Sequence, residues 1–260
     1  MKAAPKSTKK TERERERDPE EARFLEAYRP AAFPRPSVTV DLVILTVQER
    51  DLKLLLVQRN EHPFKGRWAL PGGFVRVSDD RNNQGEDLHA AALRELEEET
   101  GLSPETCGRF FLEQVAAFGK PGRDPRMRVI SVAYYALVRA DLVPLIRAGG
   151  DAAHARWWSV ADLPREEALA FDHAEILEAT LGRARAELDR SSIAFELVAE
   201  TFTIQELRAV HEAIRGEVLD PGNFRKKFLR LIEDGVIEAA RGKRPTASKP
   251  ASVYRFARKA

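Results

Sequence analysis

The sequence predicts an α+β chain of two domains, and three observations carry that prediction. Strand patterns surround a single strong central helix, without the regular strand–helix period of a doubly wound sheet. After Ser191 the pattern changes to three short helices followed by two short strands. The charge changes in the same region. From Asp220 to the end there are eleven Lys and Arg against four Asp and Glu, a surplus of seven, in a 260-residue chain whose net charge is only +2.

The length suits two ordinary domains. With 43% hydrophobic and 32% charged residues the chain reads as globular, and its single cysteine, Cys107, excludes an intrachain disulfide. The longest apolar runs, such as Leu42 to Leu45, are too short to span a bilayer, and the charged amino terminus lacks an apolar signal core. A cytoplasmic location is therefore expected. Residues 1–36 read as a charged, disordered or frayed helical tail ending in a linker with Pro30, Pro34 and Pro36. The interleaved glutamates at 12, 14 and 16 cancel most of the field that a nucleic-acid arm would need.

The first domain is expected over 37–170. Val38 to Val47 and Leu52 to Arg59 are β-branched, apolar strand patterns around a polar turn at Gln48 to Asp51. Asp87 to Thr100 reads as a helix: Leu88, Ala91, Ala92 and Leu96 share a face, Asp87 is an N-cap and Gly101 a stop. Strands are expected over Arg109 to Phe118, Met127 to Val138 and Ala155 to Val160. A connecting helix is expected within 171–190, with Asp172 to about Leu188 helical.

The second domain, 191–260, opens with a short helix at Ile193 to Glu200. A second helix follows, capped by Thr203 with Glu206 completing a capping box. A third starts at Pro221 and ends at Asp234-Gly235, with Phe224, Phe228, Leu229 and Ile232 on its core face. Val236 to Ala239 and Ser252 to Phe256 are short strands around a basic loop from Arg241 to Ala251. Three helices and a hairpin with a basic tip outline a winged helix-turn-helix. The amino-terminal residues of such a third helix reach the major groove of double-stranded DNA. Asn223, Arg225, Lys226 and Lys227 are its candidates, and Arg241, Lys243 and Arg244 on the wing suit a narrow minor groove. A solvated basic face on a protein-binding domain is the bland alternative.

The chemistry concentrates on the central helix. Glu95, Glu98 and Glu99 lie at i, i+3 and i+4, so three like charges share one turn. A divalent cation would turn that liability into a binding site, and hard oxygen donors suit Mg²⁺ (or Mn²⁺) carrying phosphates. Arg94 can pair with Glu98. Gly72 and Gly73 allow close backbone approach ahead of the helix. From Glu86 to Leu102 the string resembles the Nudix box, G-x5-E-x7-R-E-U-x-E-E-x-G-U with U aliphatic, at every fixed position. One departure is visible. Asp80 stands where the pattern has glycine, and if Gly73 is the equivalent the loop is seven residues longer, the extra stretch lying within Arg76 to Gln84.

That resemblance implies a mixed sheet in an α/β/α sandwich. It makes Glu95, Glu98 and Glu99 metal ligands, with Glu98 and Glu99 also catalytic, and Glu86 and Arg94 braces of the helix. The implied reaction is water attack on phosphorus assisted by metal. Glu113 and Asp151 are weak candidates for a further base. Gly119 to Arg126 is a loop stiffened by Pro and Gly, where Arg123 and Arg126 can clamp phosphate or ribose. Together with Phe171-Asp172-His173 and Asn223 to Lys227, it makes the chain from about 37 to 257 similar to the Nudix-related transcriptional regulators of NAD metabolism. The resemblance implies an ADP-ribose sensor joined to a winged-helix domain that binds operator DNA as a homodimer. Some members of that family have lost hydrolysis and keep a degenerate box; here all three carboxylates are present. The alternative is an active pyrophosphohydrolase of the ADP-ribose pyrophosphatase type with an accessory winged domain. His154, His173 and His211 share no ligand spacing, and Trp157-Trp158 fits an aromatic core strand better than a base platform.

Overall fold

The computed structural model describes residues 18–80, 83–103, 111–145, 154–188, 193–245 and 249–257. Cys107, Asp151 and the charged run at 9–17 lie outside the described residues, as does the side chain of His154. The chain divides into two compact units, 1–35 and 36–260.

In the first unit, helix α1 (Pro19–Ala27) starts at Asp18, whose carboxylate accepts from the Glu20 amide at 2.9 Å. Pro19 occupies the first helical position, where its missing N–H is harmless. No residue of α1 is buried. The aromatics of this unit meet one another instead, Phe24 with Tyr28 at 5.6 Å and Tyr28 with Phe33 at 6.1 Å.

The second unit is built on a sheet of β1 (Ser37–Gln48), β2 (Asp51–Gln58), β3 (Trp68–Ala69), β4 (Gly72–Phe74), β7 (Phe111–Phe118), β8 (Val129–Leu137) and β9 (His154–Ser159). The order is β3-β2-β1-β8-β7, with β4 on β1 and β9 on β2. β1 and β8 run parallel; the other pairs are antiparallel. β1 is buried on both faces, which explains its nearly continuous apolar run. Val40, Leu42 and Ile44 face α2 (Leu88–Thr100), packing with Ala91, Ala92 and Leu96. Val43, Leu45 and Val47 join the opposite core with Ile176, Leu177 and Leu181 of α3 (His173–Glu187). α2 begins at Asp87, which caps the His89 amide at 2.8 Å, and ends at Gly101 with φ 70°.

The β1–β2 turn is Glu49-Arg50, with φ values of 52° and 69°. Two-residue hairpin turns of this shape favour Asn-Gly, so two long charged residues there carry backbone strain. Arg50 uses the position: its Nη2 meets Glu212 Oε2 at 2.6 Å.

The extra stretch ahead of Glu86 folds as a small hairpin, β5 (Val77–Asp80) and β6 (Asn83–Gly85). It closes on itself. The Glu86 amide donates to the Arg76 carbonyl at 3.0 Å, and the Arg76 amide donates to Glu86 Oε1 at 2.7 Å. The added residues therefore leave and return at one place, and Glu86 keeps its position at the helix entrance.

The winged part comprises a 3-10 turn (Ile193–Leu197), α4 (Ile204–Arg215), α5 (Pro221–Glu233), β10 (Ile237–Arg244) and β11 (Ala251–Phe256). The capping box at α4 is complete: Thr203 Oγ1 accepts from the Glu206 amide at 3.2 Å, and Glu206 Oε2 accepts from the Thr203 amide at 2.8 Å. Three sequence expectations need correction. The opening helix is a 3-10 turn. β10 runs through Arg244 instead of ending at Ala239, bending at an irregularity between Ala239 and Lys243 where Gly242 takes φ 104°. Leu229, expected in the core, is 44% exposed, whereas Phe224 and Phe228 are buried. Phe202 also pairs with Tyr254 through two backbone bonds of 2.9 and 2.8 Å, adding a third strand position to the wing.

One hydrophobic cluster runs from Leu45, Leu54 and Tyr135 of the sheet through α3 to Leu207, Ile214, Phe224 and Phe228. Sheet and winged part thus share a core.

Candidate functional site

Arg94 organises the acidic helix. Its Nε and Nη2 take Glu86 in a two-point pair at 3.0 and 2.6 Å. Nη1 donates to Glu95 Oε1 at 2.6 Å and to Glu98 Oε2 at 2.9 Å, and Nη2 also reaches the Phe74 carbonyl at 3.2 Å. Arg76 supplies a second cation to Glu98 at 2.8 Å. The Arg94 pair holds the Glu86 carboxyl down at about 2, with the Arg76 amide contributing. Glu95 goes the other way. It is buried, and desolvation raises its pKa more than Arg94 lowers it. Glu99 is half-buried on the same turn.

Gly73 explains why Glu95 can lie where it does. A Cβ at position 73 would overlap the Glu95 carboxylate. At Gly72 (φ 151°) a Cβ would overlap the Val40 carbonyl, so this glycine permits β4 to close on β1. The residues therefore fit a hard divalent cation in donor chemistry: all oxygen, on one helical turn, one of them desolvated beside a glycine backbone. Among the described residues, however, no three His, Cys, Asp or Glu side chains are gathered around a common centre. Glu95 and Glu98 turn to guanidinium groups instead.

A second polar cluster lies under the Gly119–Arg126 loop. Arg123, expected at a ligand phosphate, is buried: its side chain is 3% exposed. Its Nε and Nη2 grip Asp172 at 2.8 and 2.6 Å, and Nη2 reaches Asp41 at 3.3 Å. A guanidinium held by two carboxylates braces the loop against β1 and the start of α3. Ser131 Oγ also donates to Asp41. Asp41 went unread in the sequence, although a carboxylate inside an apolar strand is a visible anomaly. His173 Nδ1 accepts from the Leu70 amide at 2.9 Å, which fixes the neutral ring with its proton on Nε2, 3.6 Å from Asp41. Burial lowers the His173 pKa below its ordinary 6.5 despite that aspartate. Arg126 remains at the surface, chelated by Asp124 at 3.1 and 2.8 Å.

Other expected residues are dispersed. Glu113 is 3.5 Å from Arg183 of α3, on the face of the sheet opposite α2. Trp157 and Trp158 pack on the two cores, Trp158 against Trp68 at 5.3 Å. His211 is buried beside Phe224 at 5.3 Å.

On the winged part, Asp220 caps α5 through the Asn223 amide at 2.7 Å. Asn223, Arg225 and Lys226 are exposed on the first two turns, and Lys227 is half-buried. Arg241 and Lys243 are exposed on β10. Arg244 differs: it pairs with Glu206 at 2.6 Å and donates to the Thr201 carbonyl at 3.0 Å, anchoring the wing to α4.

Two outcomes are expected. Arg94→Ala leaves Glu86 and Glu95 without their cation and lowers unfolding free energy by about 3 kcal/mol; a loss below about 1 kcal/mol in urea melts would remove its organising role. The folded protein refuses a proton on His173 that the unfolded chain accepts below about pH 6.5. Stability at that site is thus complete above pH 6.5 and declines as pH falls below it. His173→Gln flattens the decline, and pH-dependent thermal melts of the two proteins give the comparison.

Comparisons with known proteins agree with this geometry. A family model described as NUDIX domain matches 35–180, and one described as NrtR DNA-binding winged helix domain matches 194–256. An ADPR responsive transcriptional repressor, NtrR, of Acinetobacter baylyi is 35% identical over 91% of this chain and 88% of its own length. Shewanella oneidensis NrtR, solved with a 27mer DNA, superposes with a TM-score of 0.66 at 31% identity, over 84% of this chain and 93% of that one. The NUDIX domain of the same protein, solved with ADP ribose, gives 0.51 at 36% identity over 63% and 97%. Among the described residues no helix is long and apolar enough to cross a membrane. The carboxylate helix, the double-faced mixed sheet and the basic winged part, covered together by these matches, place the chain in the Nudix family, in the NrtR group that joins a Nudix domain to a DNA-binding winged helix.

Proposed function

We propose that this chain is a transcriptional regulator of NAD-metabolism genes that binds operator DNA and senses ADP-ribose, or a related nucleoside diphosphate, through its Nudix domain. The observation that carries the reading is the shared sheet: a helix with exposed Asn223, Arg225 and Lys226 belongs to the core on one face of the sheet, and the carboxylate helix packs on the other face. In this reading the sensor covers 37–170, the connecting helix 171–190 and the DNA-binding part 191–260.

Glu95, Glu98 and Glu99 would hold Mg²⁺ or Mn²⁺, moving away from Arg94 and Arg76 to do so. When bound, the cation would supply charge neutralisation against a diphosphate and acidify a bound water. The backbone at Gly72 and Gly73 and the Arg126 guanidinium face that diphosphate, while Arg123 positions the loop. Asn223, Arg225, Lys226 and Lys227 enter the major groove and Arg241 and Lys243 the minor groove, with Arg244 rooting the wing. A homodimer on a palindromic operator, in the cytoplasm, completes the proposal.

α3 is the route between the sites. It starts in the Arg123–Asp172–His173 cluster, and near its end Arg185 Nε donates to the Ile214 carbonyl of α4 at 3.2 Å. Ligand binding couples to DNA only if it prefers one pose of the winged part. The test is fluorescence anisotropy at fixed near-physiological salt, with duplexes from upstream of the organism's NAD-synthesis genes and a scrambled duplex. The operator should bind preferentially, and ADP-ribose should weaken it about 5- to 150-fold. Arg225→Ala with Lys226→Ala should abolish DNA binding and leave ADP-ribose affinity unchanged. Equal binding to both duplexes, indifferent to ADP-ribose, would sink the proposal.

The complete carboxylate trio supports a second activity, slow metal-dependent hydrolysis of the bound nucleotide that would reset the switch. Glu98→Gln should remove Mg²⁺-dependent ADP-ribose turnover; absence of turnover in the parent protein would discard this addition.

A further inference from the structure

We infer that Arg50, at the tip of the β1–β2 hairpin, is a positioning residue for operator recognition. It neutralises the Glu212 carboxylate on which the turn between α4 and α5 is folded, and so fixes the start of the recognition helix. The inference rests on the regulator reading above and adds a residue far from the winged part to its DNA-reading machinery.

Residue 212 holds that turn twice. Its backbone carbonyl accepts the Gly216 amide at 2.8 Å, where Gly216 (φ 73°) stops α4. Its carboxylate reaches further along the chain: Oε1 accepts the Leu219 amide at 3.1 Å. Leu219 directly precedes Asp220, which caps α5 through the Asn223 amide at 2.7 Å. A chain of three hydrogen bonds therefore leads from Glu212 to the residues proposed for the major groove.

The carboxylate is enclosed, with its side chain 7% exposed, so its charge needs an answering cation. Arg208, one turn earlier on α4, comes within 3.4 Å of Oε1. Oε2 faces Arg50, whose Nη2 is only 2.6 Å away. The closer cation thus comes from the sheet, 162 positions earlier in the chain. Without it the turn relaxes until water reaches Glu212, and Leu219 and the cap of α5 shift with it.

The hairpin delivers that cation to a fixed place. Gln48 pairs with Asp51, which leaves Glu49 and Arg50 as a two-residue turn with φ values of 52° and 69°. Asparagine and glycine would hold this turn with less strain, but neither carries a charge to Glu212. Such strain persists where the surrounding structure holds it for a use. Asp51 is anchored in turn to β9, accepting from Ser159 Oγ at 2.9 Å. α4 lies in the same core as β2, with Leu207, Val210 and Ile214 clustered with Leu52 and Leu54. Apolar packing sets where α4 lies on the sheet, and the ion pair sets the geometry of the turn that follows it. Arg50 is itself 61% exposed, so a direct contact with a DNA phosphate is the competing account. The two differ in outcome: a phosphate contact adds affinity for any duplex, whereas the pose of α5 decides preference for the operator.

The test uses the full-length protein without ADP-ribose. Anisotropy with the operator and the scrambled duplex, repeated over a range of salt, compares the parent protein, Arg50→Gln, Glu212→Gln and the double variant. Arg50→Gln should bind the operator roughly 3- to 30-fold more weakly. Its affinity for the scrambled duplex and its salt slope should equal those of the parent. Glu212→Gln keeps the shape of the side chain and removes the charge that Arg50 answers. Adding Arg50→Gln to it should therefore cost less than about twofold further, a non-additivity that marks action through Glu212. Operator affinity of Arg50→Gln within twofold of the parent overturns the inference and leaves the regulator reading standing. An equal loss on both duplexes also overturns it: a salt slope reduced by about 1 would mark a phosphate contact, and an unchanged slope general damage to the fold. The same loss from Arg50→Gln with and without the Glu212 charge overturns it as well. A parent protein that binds both duplexes equally overturns this inference together with the reading it rests on.

Discussion

The site depends on one guanidinium. Glu86, Glu95 and Glu98 all direct oxygens at Arg94, and without that charge their repulsion would splay the turn that carries them. The same arginine touches the Phe74 carbonyl, so it also joins β4 to α2. Its contacts span both ends of the inserted hairpin, because Arg76, at the hairpin's base, is held by Glu86 on one side and Glu98 on the other. An acidic helix, a glycine turn and an unusual insertion are thereby kept in one arrangement. A divalent cation would have to compete with Arg94 and Arg76 for Glu95 and Glu98.

Legibility in the sequence followed the range of the interactions involved. α2 could be bounded because Asp87 and Gly101 act within a few residues of the helix they delimit. The capping box at Thr203 and Glu206 and the start of α5 at Pro221 were readable for the same reason. The β5–β6 hairpin was not, since polar residues without alternation give no strand signal, and its strand pairing and the closure at Arg76 and Glu86 come from contacts between residues apart in the chain. β10 was cut short because Arg-Gly-Lys-Arg looks like a loop until Ser252 and Ala251 pair with Lys243 and Arg244.

The polar network beneath the loop was hidden by distance along the chain. Arg123 meets Asp172, 49 positions away, and Asp41, 82 positions away. A loop arginine next to glycine and proline looks free in one dimension. Only folding reveals that its neighbour Arg126 stays at the surface while Arg123 turns inward. Arg244 repeats the lesson on the wing, where it pairs with Glu206, 38 positions away. Burial takes Arg123 inward, whereas an ion pair holds the part-exposed Arg244.

The strained turn at Glu49-Arg50 bears on how such proteins can be taken apart. Glu212 is 7% exposed and receives Arg50 from the β1–β2 hairpin, besides the Leu219 amide at 3.1 Å. A winged segment excised from this chain, or grafted onto a foreign Nudix domain, would keep that enclosed carboxylate and lose one of its cations. Leaving an enclosed carboxylate short of a partner is costly. Recombination between relatives would therefore succeed more readily when the tip of the first hairpin travels with the winged part, as a matched lock and key.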